Sequence, residues 1–340
     1  MESFMDGLAG KRVVLAGCGG GCDVLGTSAI YQQIKDTARQ VAFFSLSFTK
    51  DGLLSKTCQQ VSRKCWRVEP SNTAIAEDPD EQVYFPEARM AKATGIHIYT
   101  LSHYATIAQY TEGYRAALKL EFGDEACDVL ILCDGGCDVL LTGAESGLAT
   151  PVEDMSHLKA VLPLKISEKY VAALGVNIDC GHGVIQAELD KRLADMERSG
   201  TMIFSKPLTI QDAPAAYFAD LLSHCCPTRS IVQSLVVAAM EGHRGLYTPE
   251  HLKKRIGANK VPLSEQTATL FMFQLEKLAS EILYLDHLKP EHNFIHIAAV
   301  ISDFEDARSA ANRRRTCGTS SLKRSWYSWS GCCSGRLGCI

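Results

Sequence analysis

Near its N-terminus the chain reads Arg12-Val-Val-Leu-Ala-Gly-Cys-Gly-Gly-Gly-Cys-Asp-Val-Leu-Gly26. The β-branched apolar run at 12–17 predicts a buried strand. Apolar residues at helical spacing follow over 24–40, and a second strand is predicted at 41–47. A strand, a glycine loop and a helix leading to another strand are typical of a right-handed βαβ unit, which favours a parallel sheet.

The alternation of strands and helices continues to about residue 200. It predicts an α/β fold with a doubly wound, mostly parallel Rossmann-like sheet and helices on both faces. Residues 49–80 interrupt the alternation as an excursion, and beyond residue 200 helices dominate. The other predicted strands are 96–101, 127–133, 170–176, 268–273 and 294–300, and the other predicted helices are 86–94, 104–122, 153–161, 184–198, 211–224, 230–241 and 275–285.

The charge of the chain changes at Asp306, after which there is no acidic residue. Residues 1–306 carry a net charge of −11 and are predicted as a single domain, with 200–306 as an extension or cap. Residues 307–340 carry +7, lack periodicity, and are predicted as a disordered tail that folding does not need. A basic anchor for RNA or anionic lipid is the alternative for the tail. The basic residues after Asp306 are Arg308, Arg313, Arg314, Arg315, Lys323, Arg324 and Arg336.

The composition is that of an ordinary globular protein, with 340 residues, 46% hydrophobic and 22% charged. No apolar run approaches the roughly 18 residues that a membrane span needs, and the first residues do not resemble a secretion signal. An acidic body is a poor surface for nucleic acid. We therefore expect a cytoplasmic protein whose partner is a small molecule; homo-oligomerisation is left open.

The chain contains 14 cysteines. In a long chain without an export signal, they are expected to be reduced thiols that pack as small apolar side chains. Cys18 and Cys22 have the same spacing as Cys133 and Cys137, so four thiolates from two loops are an alternative as a metal site. Because glycine geometry also explains both loops, no metal ligand is assigned.

The glycine motif is repeated within the chain. The hexapeptide Gly-Gly-Cys-Asp-Val-Leu occurs at 20–25 and again at 135–140, each time after a predicted strand, and a third predicted strand leads into Asn-Ile-Asp-Cys-Gly-His-Gly at 177–183. Because the carboxyl ends of parallel strands share one edge of a sheet, we expect the three loops to form one ligand site at 17–28, 134–147 and 177–183.

The chemistry expected of these loops is the binding of a phosphate or another anion. Glycines let backbone amides approach a ligand closely, although the spacing matches neither a dinucleotide fingerprint nor a Walker loop. The acids are compatible with Mg²⁺ beside a phosphate, and helix capping is the alternative for Asp23 and Asp138. The predicted ligand-binding residues are Gly17, Gly19, Gly20, Gly21, Asp23, Ser28, Asp134, Gly135, Gly136 and Glu145, and the predicted catalytic residues are Asp138, Asp179 and His182.

Several of these segments resemble the DUF1152 family of uncharacterised proteins. The similar segments are Leu-Ala-Gly-Cys-Gly-Gly-Gly-Cys-Asp-Val at 15–24, Asp-Gly-Gly-Cys-Asp at 134–138, Gly-Ala-Glu at 143–145, Thr-Pro at 150–151 and Asp154. The resemblance covers roughly residues 10–300 and implies the fold and the location of the site. Cys137 within the central motif and Cys-Gly-His-Gly at 180–183 depart from the family pattern.

Two functions follow from these observations. The first is binding of a nucleotide or another phosphorylated or anionic small molecule, with enzymatic activity on it left open. The second is a catalytically inactive sensor or scaffold, which the two departures from the family pattern favour.

Overall fold

The computed structural model describes residues 1–20, 22–75, 83–123, 126–181, 183–226, 230–258 and 260–315. Two predicted site residues, Gly21 and His182, lie outside these ranges. The strands within them are β1 (Arg12–Gly17), β2 (Gln40–Ser47), β3 (Gln59–Ser62), β4 (Cys65–Val68), β5 (Ile98–Ser102), β6 (Val129–Asp134), β7 (Glu168–Ala173), β8 (Met202–Pro207), β9 (Gly245–Tyr247), β10 (Val261–Leu263) and β11 (Thr269–Gln274).

Helices connect and cover these strands. The α-helices are α1 (Glu2–Asp6), α2 (Asp23–Gly26), α3 (Ser28–Ile34), α4 (Asp51–Thr57), α5 (Pro86–Thr94), α6 (Ile107–Phe122), α7 (Val152–Val161), α8 (Gln186–Ser199), α9 (Ala213–Cys225), α10 (Ile231–Met240), α11 (Lys253–Ile256), α12 (Leu275–Glu281) and α13 (Phe294–Arg315). Short 3₁₀ turns occupy Thr73–Ile75, Asp138–Leu140, Ile178–Gly181, Glu250–Leu252, Gln266–Ala268 and Leu285–His287.

The strand order confirms the predicted doubly wound sheet. Nine strands form one sheet in the order β3-β4-β5-β2-β1-β6-β7-β11-β8. Its five central strands, β5, β2, β1, β6 and β7, are parallel. In chain order these five are third, second, first, fourth and fifth, which is the order of a dinucleotide-binding sheet. The chain reverses its direction of winding between β1 and β6, so a crevice for ligands is expected at the carboxyl ends of these two strands.

Both faces of the sheet are covered by helices. Along β1, Val14 and Ala16 pack into one core together with α6, α7, α8, α12 and α13. Val13 and Leu15 point the other way, into a second core with α2, α3, α5, α9 and α10. Successive side chains of a strand alternate between faces, and therefore a strand buried on both faces is apolar throughout, as β1 is after Arg12.

The edges of the sheet differ from the sequence prediction. The excursion at 49–80 contains the hairpin of β3 and β4, which extends the sheet by antiparallel pairing with β5. At the opposite edge, β11 pairs antiparallel with β7 and β8. The prediction of a strand at 294–300 was wrong, because these residues begin α13. Their short apolar run fits a partly buried helix as well as a strand, and only the tertiary packing, which buries Ile297 and leaves Ile295 exposed, distinguishes the two.

The last helix reaches into the segment predicted as a tail. α13 continues to Arg315, so residues 307–315 are helical, and residues 316–340 lie outside the described ranges. The guanidinium of Arg308 donates hydrogen bonds to the carbonyls of Gly143 and Ala144, which fixes the helix to the loop after β6. Within the described ranges, none of the helices has the length and apolar character needed to cross a membrane.

We predict that the chain keeps its full stability when it is shortened to residue 315 and loses stability when it is shortened to residue 306. Truncation after Arg315 should leave the urea midpoint unchanged, whereas truncation after Asp306 removes the Arg308 contact and should lower the free energy of unfolding by about 1–3 kcal/mol. Arg308→Ala in the full chain should reproduce most of that loss. Equal stability of the 1–306 and 1–315 chains would contradict a structural role for the end of α13.

Candidate functional site

The loops after β1, β6 and β7 start side by side at one edge of the sheet. The N–H of Cys18 donates to the carbonyl of Cys133 (2.8 Å), and the N–H of Leu174 donates to that of Asp134 (3.0 Å). These bonds continue the pairing of the three strands by one residue. The side chains that follow each strand are therefore directed into a common space.

Three aspartates meet in that space. Asp23 is the first residue of α2, Asp134 is the last residue of β6, and Asp154 lies in the first turn of α7. One carboxylate oxygen from each lies within 4.8 Å of the other two. The residues are 7%, 3% and 2% exposed, so the group is closed off from solvent.

Asp138 and Asp179 flank this group. The N–H of Cys137 donates to Oδ2 of Asp179 (2.7 Å), which ties the 3₁₀ turn at 178–181 to the loop after β6. A side chain at Gly136 would bring its Cβ to 2.7 Å from Asp179 Oδ2 and 3.4 Å from Asp138 Oδ1. We call Asp23, Asp134, Asp138, Asp154 and Asp179 together the acidic cluster.

Asp23 is held by residues that are distant in sequence. The N–H of Gly135 donates to its Oδ2 (3.3 Å), and Nε2 of Gln233 on α10 donates to its Oδ1 (3.0 Å). Neither α2 nor the 3₁₀ turn that begins at Asp138 has a side-chain cap. The carboxylate of Asp23 joins the loops after β1 and β6, whereas that of Asp138 has backbone hydrogen bonds from Val139 in its own turn and from Thr150, which lower its pKa against burial.

The glycines of both loops make room for the acids. A Cβ at Gly19 would lie 2.4 Å from Asp23 Oδ2 and 3.1 Å from Asp154 Oδ1, and a Cβ at Gly135 would lie 2.6 Å from Asp23 Oδ1. Gly17 is required by the backbone, because its Cβ would lie 2.3 Å from the nitrogen of Val24. The binding of a phosphate by these glycines stays a prediction; what the structure shows is that Gly19 and Gly135 border carboxylates.

Burial raises the pKa of every carboxyl group in the acidic cluster. It raises the pKa of Asp23 and of Asp179 to about 7, against backbone hydrogen bonds that lower both. The pKa of Asp134 is well above its usual range because of burial and, second, the charge of Asp154. The pKa of Asp154 is also well above its usual range, because of burial and the charge of Asp138. For Asp138 the pKa is also raised by burial.

In the part of the chain that the structure describes, no positive charge is paired with the acidic cluster. No lysine or arginine there forms an ion pair with any member of the acidic cluster. Oδ2 of Asp134 and Oδ1 of Asp154 are buried without a hydrogen-bond partner among the described residues. Buried carboxylates are normally paired or bound to metal, so these two oxygens have an unused capacity for a cation.

The other predicted site residues lie apart from the acidic cluster or serve their own loop. Gly20 is exposed, and its Cβ would face the ring of Phe48. The carboxylate of Glu145 accepts hydrogen bonds from Thr142 and from the N–H of Gly143, which closes a local turn. Ser28 is buried at the start of α3, and its hydroxyl has no partner among the described residues.

The structure adds two residues to those chosen from sequence patterns. Asp154 was seen only through the family resemblance, since no glycine motif precedes it. Gln233 is buried on α10, 210 residues from its partner Asp23, and no local sequence signal marks it. A metal site made of four cysteine thiolates is not seen in the described ranges, where the side chains close enough to share a metal ion are Asp23, Asp134 and Asp154. Burial also raises the pKa of Cys18 and of Cys137, which disfavours their thiolates.

A family-level comparison agrees with the resemblance seen in the sequence. The family described as "Protein of unknown function (DUF1152)" matches residues 52–303. The match includes Asp134, Asp138, Asp154, Asp179 and Gln233 and begins after Asp23. Among curated proteins, no significant match to the chain was found.

We predict that the metal-free protein becomes less stable as the pH rises from about 5 to 8. A carboxyl group whose pKa is higher in the folded chain binds protons on folding, so its contribution to stability is lost as the pH passes from 3.8 towards the folded value, about 7 for Asp23 and Asp179. The imidazole of His157, whose pKa burial lowers to about 3, acts in the opposite direction below about pH 6.5 but is outnumbered.

Thermal unfolding in EDTA at several pH values tests this prediction. Asp23→Asn should flatten the decline, whereas Asp6→Asn, at an exposed position of α1, should leave it unchanged. Stability that rises steadily up to pH 8 would show that the acidic cluster is not strained by its own charge.

Proposed function

Since the chain belongs to the DUF1152 family, whose description names no activity, we propose a function from the chemistry of the acidic cluster. The protein binds a divalent cation through Asp23, Asp134 and Asp154. The bound cation then recruits a phosphorylated or otherwise anionic small molecule, such as a nucleotide, to the carboxyl edge of the sheet. A cytoplasmic location belongs to the same proposal.

The observation that supports a cation is the distance of 4.8 Å or less between three buried carboxylate oxygens. Two unit charges about 4 Å apart repel by about 4 kcal/mol at an effective dielectric constant of 20. Carboxylate oxygens are the ligands that Mg²⁺, Mn²⁺ and Ca²⁺ prefer. A divalent ion between the carboxylates would therefore replace their mutual repulsion with attraction. Because Gly19 and Gly135 have no side chain, the carboxylates have room to lie close together around it.

The same charge argues against direct binding of an anion by the glycine amides. A phosphate would lie beside five carboxyl groups, and the helix after the first loop, α2, has only four residues. A metal ion between the carboxylates and the phosphate removes this conflict, as in many phosphoryl-transfer sites. The position between β1 and β6 is where doubly wound sheets bind ligands. Because the carboxylates are closed off from solvent, the anion requires movement of a loop.

Two acids remain for proton transfer. Asp138 and Asp179 lie beside the three proposed ligands without belonging to their group. Either carboxylate could accept a proton from a water molecule or a substrate hydroxyl, which would make the protein a hydrolase or a transferase. His182 remains a prediction for the same role. If the protein binds its ligand without turnover, the sensor alternative applies.

We predict that Mn²⁺ or Mg²⁺ raises the melting temperature of the metal-free protein at pH 8. A ligand at about 100 times its Kd adds about 2.7 kcal/mol to the free energy of unfolding. Asp134→Asn should abolish this increase and should also make the metal-free protein more stable at pH 8, because burial and the charge of Asp154 hold the pKa of Asp134 well above its usual range. Asp6→Asn should behave like the wild type.

These two effects of Asp134→Asn separate a binding site from a structural one. A structural aspartate would lower the stability of the metal-free protein when replaced. No shift with either ion in the wild type would contradict the proposal. Nucleotides, sugar phosphates and acyl-CoA should then bind only in the presence of the ion, and analysis of products distinguishes an enzyme from a sensor.

A further inference from the structure

Two buried thiols lie in contact beside the acidic cluster. Sγ of Cys22 is 3.3 Å from Sγ of Cys226, and the residues are 7% and 2% exposed. Cys22 immediately precedes Asp23 at the start of α2, and Cys226 immediately follows α9. The hydroxyl of Tyr84 lies 3.7 Å from Sγ of Cys22.

We propose that Cys22 and Cys226 form a reversible disulfide when the protein meets a peroxide. The two sulfur atoms would need to approach by about 1.3 Å to reach the length of a disulfide bond. The two cysteines are 204 residues apart in sequence, so the bond would close a very long loop. The folded chain already brings the two thiols into contact, and therefore the loop need not close when the bond forms.

The chemistry is balanced with hydrogen peroxide as the oxidant. The thiolate of one cysteine attacks a peroxide oxygen, so that an S–O bond forms, the O–O bond breaks, and hydroxide leaves and is protonated to water. The second thiol loses its proton and attacks the sulfenic sulfur, an S–S bond forms, the S–O bond breaks, and the departing hydroxide takes up that proton as a second water. Two thiols are oxidised, one peroxide is reduced, and a reducing thiol restores the starting state.

The contact also joins the two segments that hold Asp23. Cys22 is the neighbour of Asp23, and Cys226 lies at the end of α9, which packs against α10, whose Gln233 donates to Asp23. A disulfide would therefore pull on the segments on either side of the Asp23–Gln233 hydrogen bond. Because metal ligands must be held within about 0.5 Å of their productive positions, oxidation should weaken cation binding. This consequence depends on the proposed function; formation of the disulfide does not.

The proposal is tested by treating the full chain with hydrogen peroxide and mapping non-reduced peptides by mass spectrometry. We expect a peptide pair linked through Cys22 and Cys226 that disappears after dithiothreitol. Cys226→Ser and, separately, Cys22→Ser should remove it. Cys58→Ser, at a half-buried position elsewhere, should leave it in place. Failure to find this pair, or a Cys225–Cys226 link in its place, would overturn the proposal.

Binding of Mn²⁺ to the oxidised and reduced forms tests the link to the acidic cluster. We expect oxidation to raise the Kd at least tenfold in the wild type and to leave it unchanged in Cys226→Ser. If the disulfide forms and the Kd does not change, the coupling is wrong. If neither form binds Mn²⁺, the proposed function fails while the disulfide stands.

Discussion

The mutual repulsion of five carboxyl groups, four of them buried and that of Asp179 half-buried, is the constraint around which this edge of the sheet is organised. β1 and β6 end beside one another, and their loops bring Asp23 and Asp134 into one buried space that α7 completes with Asp154. Hydrogen bonds from Gly135, Cys137 and Gln233 hold the acids in place without neutralising them. Such an arrangement favours protonation or a cation, and its strain is located at the switch point where doubly wound sheets bind ligands.

The sequence allowed the fold and the meeting of the loops after β1, β6 and β7 to be predicted, because both depend on short, local patterns. An apolar run followed by glycines indicates a strand end wherever it occurs, and the repeated Gly-Gly-Cys-Asp-Val-Leu places two such ends in the chain. The parallel order of the strands then brings Asp23, Asp134, Asp138 and Asp179 to the same edge. The purpose of the glycines was less predictable, because a glycine that leaves room for a carboxylate and one that admits a phosphate have the same local signature.

Contacts between distant segments could not be predicted from patterns. Gln233 lies in an apolar helix and reaches Asp23 only because α10 packs over α2. Residues 294–300 have the composition of a strand and form a helix because α13 packs on α7. The sequence places Arg308 among the charges of the predicted tail, whereas its guanidinium donates hydrogen bonds to the carbonyls of Gly143 and Ala144. In each case the tertiary packing overrides the local preference.

Anomalous X-ray diffraction from crystals grown with Mn²⁺ is the measurement that tests the central claim most directly. Our account predicts an anomalous peak between the carboxylates of Asp23, Asp134 and Asp154, at a distance from one oxygen of each within the range of about 2.0–2.6 Å that Mg²⁺ and Ca²⁺ span. The same crystals of Asp134→Asn should lack that peak. A well-ordered acidic cluster without a peak, or a peak only on exposed residues, would contradict the assignment of these three aspartates as cation ligands.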